Sequence, residues 1–564
     1  MLHMTKSQPD QINAEAIIKE LVNASPRLRL KELQNLLKKY TKGDGKTFSK
    51  SELLAACKGD LTVSADIKQL LQKKPIRTLS GVTPVTVLTK PFPCPGNCIF
   101  CPSDVRMPKS YIANEPGAQR AGQYAFHPYA QMYNRLVAFQ ETGHPVSKIE
   151  VIVLGGTWSA YSREYQYWFI AELFKAMNDF GEGKNNCPHT DKIDTQESLP
   201  DHSTYNEYIR SKQTTSVDQV SNLADVHTEQ KKNETSKCRC VGLVLETRPD
   251  CVSEAEVVHL RQLGATKIQI GIQSLQNDVL ELNRRGHTAE ATILAIHLLR
   301  SAGFKIHGHW MPNLYGSSPE KDIQDYVTLF ESGSACPDEL KIYPCSLIDH
   351  TGLMTIYKQG KWLPYTRSQL LEVLTFVLTQ TPEYCRLTRI VRDIPGTEIV
   401  AGNKTTNLRQ ILDTPEIRSQ SHDIRAREIK NQSMAGSDPT LDDVMYETSN
   451  STEHFLQYIM LPERKIFGFL RLSLPKSNSF IPELEQAAII REIHIYGRSV
   501  SVGDNSEGAS QHQGLGKSLI SKATAIAKEA GYQKIAVISA VGTKPYYRDN
   551  GFVDGQLYQF ALIK

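Results

Sequence analysis

The sequence predicts an α/β fold. A parallel α/β barrel, partial or complete, is preceded by a basic helical region and followed by a second, smaller α/β domain. Three observations carry this reading. Short strand candidates recur with amphipathic helical patterns between them from Arg77 to about residue 380, the rhythm of a parallel sheet wrapped in helices. At 564 residues the chain is too long for one core. A separate run of strands, a glycine-rich turn, a long helix and a further strand closes the chain from about residue 456.

The first 75 residues hold helical segments such as LRLKELQNLLKKY and SADIKQLLQKK. From Pro26 to Arg77 there are 13 Lys or Arg against 5 Asp or Glu. Clustered cations on helices suit a phosphate backbone, because counterions are released on binding; an ordinary solvated helix surface is the alternative. RTLSGVTPVTVLTKP, from Arg77 to Pro91, then alternates like a strand and opens a barrel unit over 76–380. Further strands are expected from Ile149 to Leu154, Val241 to Glu246, Lys267 to Gly271, Lys305 to Trp310 and Glu339 to Tyr343, with chemistry at their carboxyl ends. Gly183 to Lys237 has no Phe, Trp or Met and is crowded with polar residues, so it reads as an exposed, mobile insertion with incidental Cys187 and His189. A linker over 381–455 leads to the last domain, 456–564.

Composition bounds the chemistry. No run of about 18 apolar residues occurs, and the N-terminus lacks the apolar core of a signal peptide. No membrane partner is expected, and the expected compartment is the cytoplasm. Eleven cysteines, an odd number, argue for metal or cluster ligation in a reducing compartment rather than a disulfide framework.

The tract PFPCPGNCIFCPSD spaces Cys94, Cys98 and Cys101 as C-x3-C-x2-C. Three thiolates can hold three irons of a [4Fe-4S] cluster and leave the fourth open to chelate S-adenosylmethionine for reductive cleavage. A zinc knuckle would want a second pair of ligands, which does not follow closely. Pro93, Pro95, Gly96 and Pro102 favour a loop around a cofactor.

The strand ends add candidates for S-adenosylmethionine. IEVIVLGGT ends in Gly155 and Gly156, which permit a close backbone approach or simply a tight turn. VGLVLETRPD puts Glu246 and Arg248 at a strand end, and KIQIGIQS puts Gln273 and Ser274 there. NRRGH, from Asn283 to His287, adds cations that read equally as a solvated loop or an RNA contact.

At the C-terminus, REIHIYG precedes QHQGLGKSL. Gln511, Gly514 and Gly516, with Leu515 and Lys517, begin an amphipathic helix whose free N–H groups can cradle a pyrophosphate. KIAVIS follows, then Tyr546 and Tyr547 and a terminal DNGF. The pattern resembles the Gcn5-related N-acetyltransferase fold, which implies acetyl-CoA. That resemblance puts Tyr547 or Tyr546 near the thioester sulfur, and Glu492, Ile493, His494 and Ile495 along the pantetheine arm.

A cysteine triplet of the radical S-adenosylmethionine kind joined to an acetyltransferase-like domain resembles the family of the catalytic subunit of Elongator. The likeness runs from about Lys74 to the end, through KPIRTLSGV, IVLGGTW, LETRPD, IGIQS, NRRGHT, LKIYP, IVRDIPG, DIRAREI, REIHIYG, HQGLGKSL and KIAVISAVGTKPYYR. The resemblance implies carboxymethylation at C5 of the wobble uridine in a tRNA anticodon loop. A 5'-deoxyadenosyl radical would activate the methyl group of acetyl-CoA. It also implies that Lys148 contacts acetyl-CoA in the barrel. Protein lysine acetylation is the alternative activity, and accessory subunits or a homodimer stay open as partners. Two features depart from the family: the insertion is longer than usual, and SHDIRAREIK lacks the cysteines that would carry a linker zinc. Arg386, Arg389, Arg392, Arg425 and Arg427 either track RNA phosphates or pair with acids across a domain interface.

Overall fold

The computed structural model describes residues 8–23, 30–57, 65–78, 80–193, 204–212, 219–429, 438–496 and 514–563. Strands β1 (Thr83–Leu88), β2 (Lys148–Leu154), β3 (Arg239–Thr247), β4 (Lys267–Gln273), β5 (Lys305–Trp310), β6 (Glu339–Ile342), β7 (Leu347–Ile348), β8 (Arg386–Arg389) and β9 (Ile399–Ala401) come first along the chain. Seven of them form one sheet in the order β1-β2-β3-β4-β5-β6-β8. Every neighbour pair in it is parallel. β1 and β8 are its edges, so the barrel is partial.

The sheet has an apolar outside and a polar inside. Ile268, Ile270 and Ile272 of β4, Ile306 of β5 and Leu340 of β6 are fully buried in the main core. That core includes the helices Arg163–Glu182, Ala289–Ser301 and Arg367–Gln380. The alternate residues, including Lys267, Gln269 and Gln273, Lys305, His307 and His309, and Glu339 and Lys341, line the bore. Side chains alternate across a strand, so one sequence serves both faces.

A second sheet holds β10 (Thr440–Glu447), β11 (Ser451–Met460), β12 (Lys465–Pro475), β13 (Ala487–Ile495), β14 (Lys534–Val537), β15 (Val553–Asp554) and β16 (Gln559–Leu562), in the order β10-β11-β12-β13-β14-β16-β15. Its one parallel pair, β13 with β14, runs only from Ala487 opposite Lys534 to Ile490 opposite Val537. Beyond Ile490, β13 continues to Ile495 along β12 alone, opening a wedge on the β14 side. The helix Leu515–Glu529 covers this sheet through Leu519, Ile520, Ala523 and Ala527, packed with Leu470, Leu472, Ile490 and Val537.

A buried ion cluster joins the two sheets. Asp338, just before β6, accepts two 2.7 Å hydrogen bonds from the Arg491 guanidinium on β13, and Arg491 also donates to Glu453 at 2.9 Å. Arg491 and Asp338 have fully buried side chains, and burial favours such charges only when paired.

The N-terminal helices Gln8–Asn23, Leu30–Lys39, Lys50–Ala56 and Ala65–Leu71 bury Ile17, Leu21, Leu33, Leu53 and Leu71 as their own small core. This unit meets the barrel at His144, whose Nδ1 lies 2.9 Å from Thr78 Oγ1 and whose Nε2 lies 2.8 Å from the Lys73 carbonyl. No helix of the described residues is long and apolar enough to cross a membrane.

Two organisational expectations change. β8 lies past the expected boundary at 380, and β10 and the start of β11 lie before 456, so the expected linker contributes strands to both sheets. The Gly183 to Lys237 insertion is not merely an exposed loop. It contains the helices Tyr205–Lys212 and Leu223–Asn233, which bury Tyr205, Tyr208, Ile209 and Val226. Tyrosines and isolated aliphatics supply apolar area that the missing Phe, Trp and Met had hidden.

Candidate active site

The cysteine loop follows β1 and sits at the carboxyl end of the barrel. Cys98 is buried, Cys94 and Cys101 partly so. Arg285 Nη1 lies 3.5 Å and Arg248 Nη1 3.8 Å from Cys98 Sγ. The Cys98 thiol is held well below its usual pKa by a hydrogen bond with Cys101 and then by the Arg285 and Arg248 charges. Cys101 shifts the other way, and its Sγ lies 3.4 Å from Ser110 Oγ. Cys94 Sγ accepts from the Gly96 amide at 3.4 Å. Thiolate stabilised by two guanidiniums is the donor chemistry a [4Fe-4S] cluster needs. No three His, Cys, Asp or Glu among the described residues are close-set enough for a single ion, and a polynuclear cluster takes its thiolates at separate irons.

Arg248 occupies the space that a side chain at Gly96 would need: a Cβ there would meet Arg248 Nη1 at 2.0 Å. Arg248 also donates to the Arg285 carbonyl at 2.7 Å and pairs with Asp250 at 2.9 Å. The Gly155 and Gly156 pair divides its work. Gly155, at φ +136°, packs on Thr89, whose Oγ1 would lie 1.9 Å from an added Cβ. Gly156, at φ +98°, lines the cavity. Gln273 adopts φ +68°, a conformation rare outside glycine, and its buried Oε1 has no hydrogen-bond partner among the described residues. Glu246 Oε2 is likewise unpartnered, and burial raises the Glu246 pKa. Ser274 is buried beneath this surface.

From here a single cavity of ≈ 2090 Å³ runs down the bore, lined by Cys94, Cys98 and Cys101 at one end and by Gly514, Gly516, Tyr546 and Tyr547 at the other. The bore between them is a ladder of buried charges. Lys267 pairs with Glu150 at 2.6 Å and Glu339 at 3.1 Å, and Lys305 pairs with Glu339 at 2.8 Å and Glu492 at 2.5 Å. Lys148, at the amino end of β2, lines the same cavity, and burial together with the neighbouring Arg239 lowers its pKa.

The far end is the wedge beside β13. Glu492, Ile493, His494 and Ile495 all line the cavity. Glu492 is tied to Lys305 and Arg471, the latter at 2.9 Å, while His494 Nε2 is buried without a partner among the described residues. Gly514 takes φ +74° as the N-cap of the long helix, Leu515 opens that helix, and Lys517 lines the cavity. A Cβ on Gly516 would meet Tyr546 Oη at 2.5 Å. Tyr547 is buried, and burial, Tyr546 and Glu492 all raise its pKa, so its hydroxyl stays a donor at neutral pH. Gln511 lies outside the described residues.

Models of the radical SAM superfamily and of the Radical_SAM C-terminal domain match residues 212–327 and 337–415. The chain is 35% identical over 492 residues to the tRNA uridine(34) acetyltransferase of Dehalococcoides mccartyi, covering 85% of this chain and 97% of that one. The chain belongs to this family. Its likeness extends to Elongator complex protein 3 of Homo sapiens, 33% identical over 513 residues, or 88% of this chain and 86% of that one. A solved relative, the archaeal Methanocaldococcus infernus Elp3 lacking residues 1–46, superposes with a TM-score of 0.67 at 32% identity, covering 86% of this chain and 99% of that one.

Against this tRNA uridine(34) acetyltransferase family, three outcomes stand out. Arg285, read from sequence only as part of a cationic loop, is buried and faces Cys98, whereas its neighbour Arg284 is exposed. Of the charged bore residues, Lys148, Glu246 and Glu492 were read as candidates from the sequence, whereas Lys267, Lys305, Glu339 and Lys341 were not singled out, although the alternation K-x-Q-x-G-x-Q in β4 signals Lys267. The connecting arginines mostly pair within the protein. Arg386 meets Glu428 at 2.6 Å, Arg392 meets Glu115 at 2.9 Å, Arg427 donates to Gln457 at 2.9 Å, and Arg425 donates to the Thr388 carbonyl. Arg389 pairs with Asp393 while staying half exposed.

Proposed function

We propose that the chain carboxymethylates C5 of the wobble uridine of tRNA, taking two carbons from acetyl-CoA. The observation that carries this reading is the single cavity joining the cysteine loop to the wedge of the second sheet. A protein lysine acetyltransferase would need only the wedge. Cys94, Cys98 and Cys101 hold the [4Fe-4S] cluster, and Gly156, Glu246, Arg248 and Gln273 contact S-adenosylmethionine. When bound, the two would supply the radical chemistry that removes a hydrogen from the acetyl methyl group, the hydrogen leaving in 5'-deoxyadenosine.

The chain's own groups do the positioning. The helix start at Gly514 to Lys517 takes the pyrophosphate, and Glu492 to Ile495 flank the pantetheine arm. Tyr547 donates to the thioester, with Tyr546 closing the wedge. Lys148 offers a cation from the barrel side. The basic N-terminal helices contact the tRNA backbone.

The test is anaerobic reconstitution followed by assay of 5'-deoxyadenosine and of wobble nucleosides by mass spectrometry. Cys98→Ala should abolish both products, and Gly516→Glu should lose acetyl-CoA affinity while keeping the cluster. Normal nucleoside yield from the triple cysteine variant would sink the radical reading, and protein acetylation without a nucleoside change would favour the alternative.

A further inference from the structure

The cysteine loop carries a backbone problem that its own sequence cannot solve. In Pro91-Phe92-Pro93-Cys94-Pro95 the prolines lack N–H groups, so the Cys94 amide stands between two residues that cannot continue a ladder or a helix. Its partner comes from the insertion. Asn206 Oδ1 accepts from the Cys94 amide at 3.0 Å, and Asn206 Nδ2 donates to the Cys94 carbonyl at 2.9 Å. One side chain thus satisfies both backbone groups of a cluster ligand, 112 residues away in sequence.

The same helix, Tyr205–Lys212, grips the other limb of the loop. Tyr205 Oη donates to the Met107 carbonyl at 2.8 Å, and Lys109 Nζ lies 4.7 Å from the centre of the Tyr205 ring. Tyr205, Tyr208 and Ile209 form a small apolar cluster with Val105. Outside the helix, Lys90 donates to Gln219 beyond it, closing the contact from the β1 side.

We propose that this helix is a built-in clamp on the cluster loop, and that Asn206 is a positioning residue that holds Cys94 in its ligating pose. The proposal rests on the cysteine triplet being cluster ligands. With the Cys94 peptide fixed at both its N–H and its C=O, the loop cannot swing the thiolate away from its iron. Release of the Cys94-ligated iron, a step on the way to complete loss of the cluster, is thereby slowed.

The experiment measures cluster lifetime rather than turnover. Full-length wild type, Asn206→Ala, Asn206→Asp and Arg210→Ala, an exposed residue of the same helix, are reconstituted anaerobically. Each is assayed for iron and sulfide, then for decay of the cluster absorbance in air and with a ferrous chelator. Two hydrogen bonds of ordinary strength predict decay on the order of tenfold faster in Asn206→Ala. Asn206→Asp keeps the acceptor for the Cys94 amide and loses the donor to its carbonyl, so it should fall between, and Arg210→Ala should match wild type. Circular dichroism confirms that each variant is folded. Wild-type decay rates in a folded, iron-loaded Asn206→Ala would overturn the clamp while leaving the cluster reading intact. A wild-type chain that takes up no iron would overturn both.

Discussion

Removing the Arg491 guanidinium should uncouple the two halves of the protein. Arg491→Met keeps most of the volume and leaves Asp338 and Glu453, both within 1% of fully buried, without their main cation. Asp338 would retain the Ile306 amide at 2.8 Å and the more distant Arg471 at 3.3 Å. Breaking a buried pair in this way costs about 3–5 kcal/mol, because the surviving carboxylate keeps its desolvation penalty without its compensation. Adding Asp338→Asn to the same chain should recover part of that loss, since the stranded charge goes with it. All four tryptophans, Trp158, Trp168, Trp310 and Trp362, lie in the barrel half, so fluorescence in a denaturant titration reports the barrel alone while circular dichroism reports both sheets. In wild type the two curves should coincide. In Arg491→Met they should separate, with 5'-deoxyadenosine yield falling although isolated acetyl-CoA binding persists. Coincident curves, with a midpoint shift equivalent to less than about 1 kcal/mol, would refute the argument that this cluster rigidifies the shared cavity.

Two further outcomes follow from the N-terminal unit. Lys38→Glu with Lys68→Glu, both exposed, should weaken tRNA binding and reduce the log–log salt slope by roughly 1 per lysine, as read by filter binding across salt; an unchanged slope would assign these helices to a solvated surface. Burial opposes ionisation of Glu52, but hydrogen bonds from Lys42 and Ser49 outweigh it and hold the carboxyl down to about 2. Its folded pKa is depressed, so its stabilising contribution is complete above the unfolded value near 4.5 and is lost as pH falls through about 2. Glu52→Gln should therefore flatten that acid dependence by on the order of 1 kcal/mol in thermal melts of the full chain.

The barrel was legible because parallel strands and their helices leave a strong rhythm in the sequence. The cysteine tract was legible as a loop after a strand because its prolines and glycine exclude helix, while the paired glycines read equally as a tight turn, and Gly155 packs on Thr89. What stayed hidden depended on contacts between distant segments. The β4 sequence KIQIGIQ reads as an apolar strand with polar interruptions until the sheet curves and turns Lys267, Gln269 and Gln273 to a common bore with Glu339 and Lys305. Arg284 and Arg285 are equivalent in sequence, yet a left-handed turn at Arg284, φ +52°, sends one to solvent and the other to Cys98.

Asn206 is the sharper case. Composition marks its segment as polar and poor in large apolar residues, which is a sound argument for exposure when a segment must form its own core. This helix forms no core of its own; it borrows one from Val105 and supplies hydrogen bonds to a proline-flanked peptide that has no local partner. The clue lay in the other tract: three prolines alternating through PFPCP create a donor and an acceptor that must be satisfied from elsewhere in the chain. Reading backbone groups that a motif leaves unpaired, as well as the side chains it offers, points to the second segment that a metal-binding loop requires.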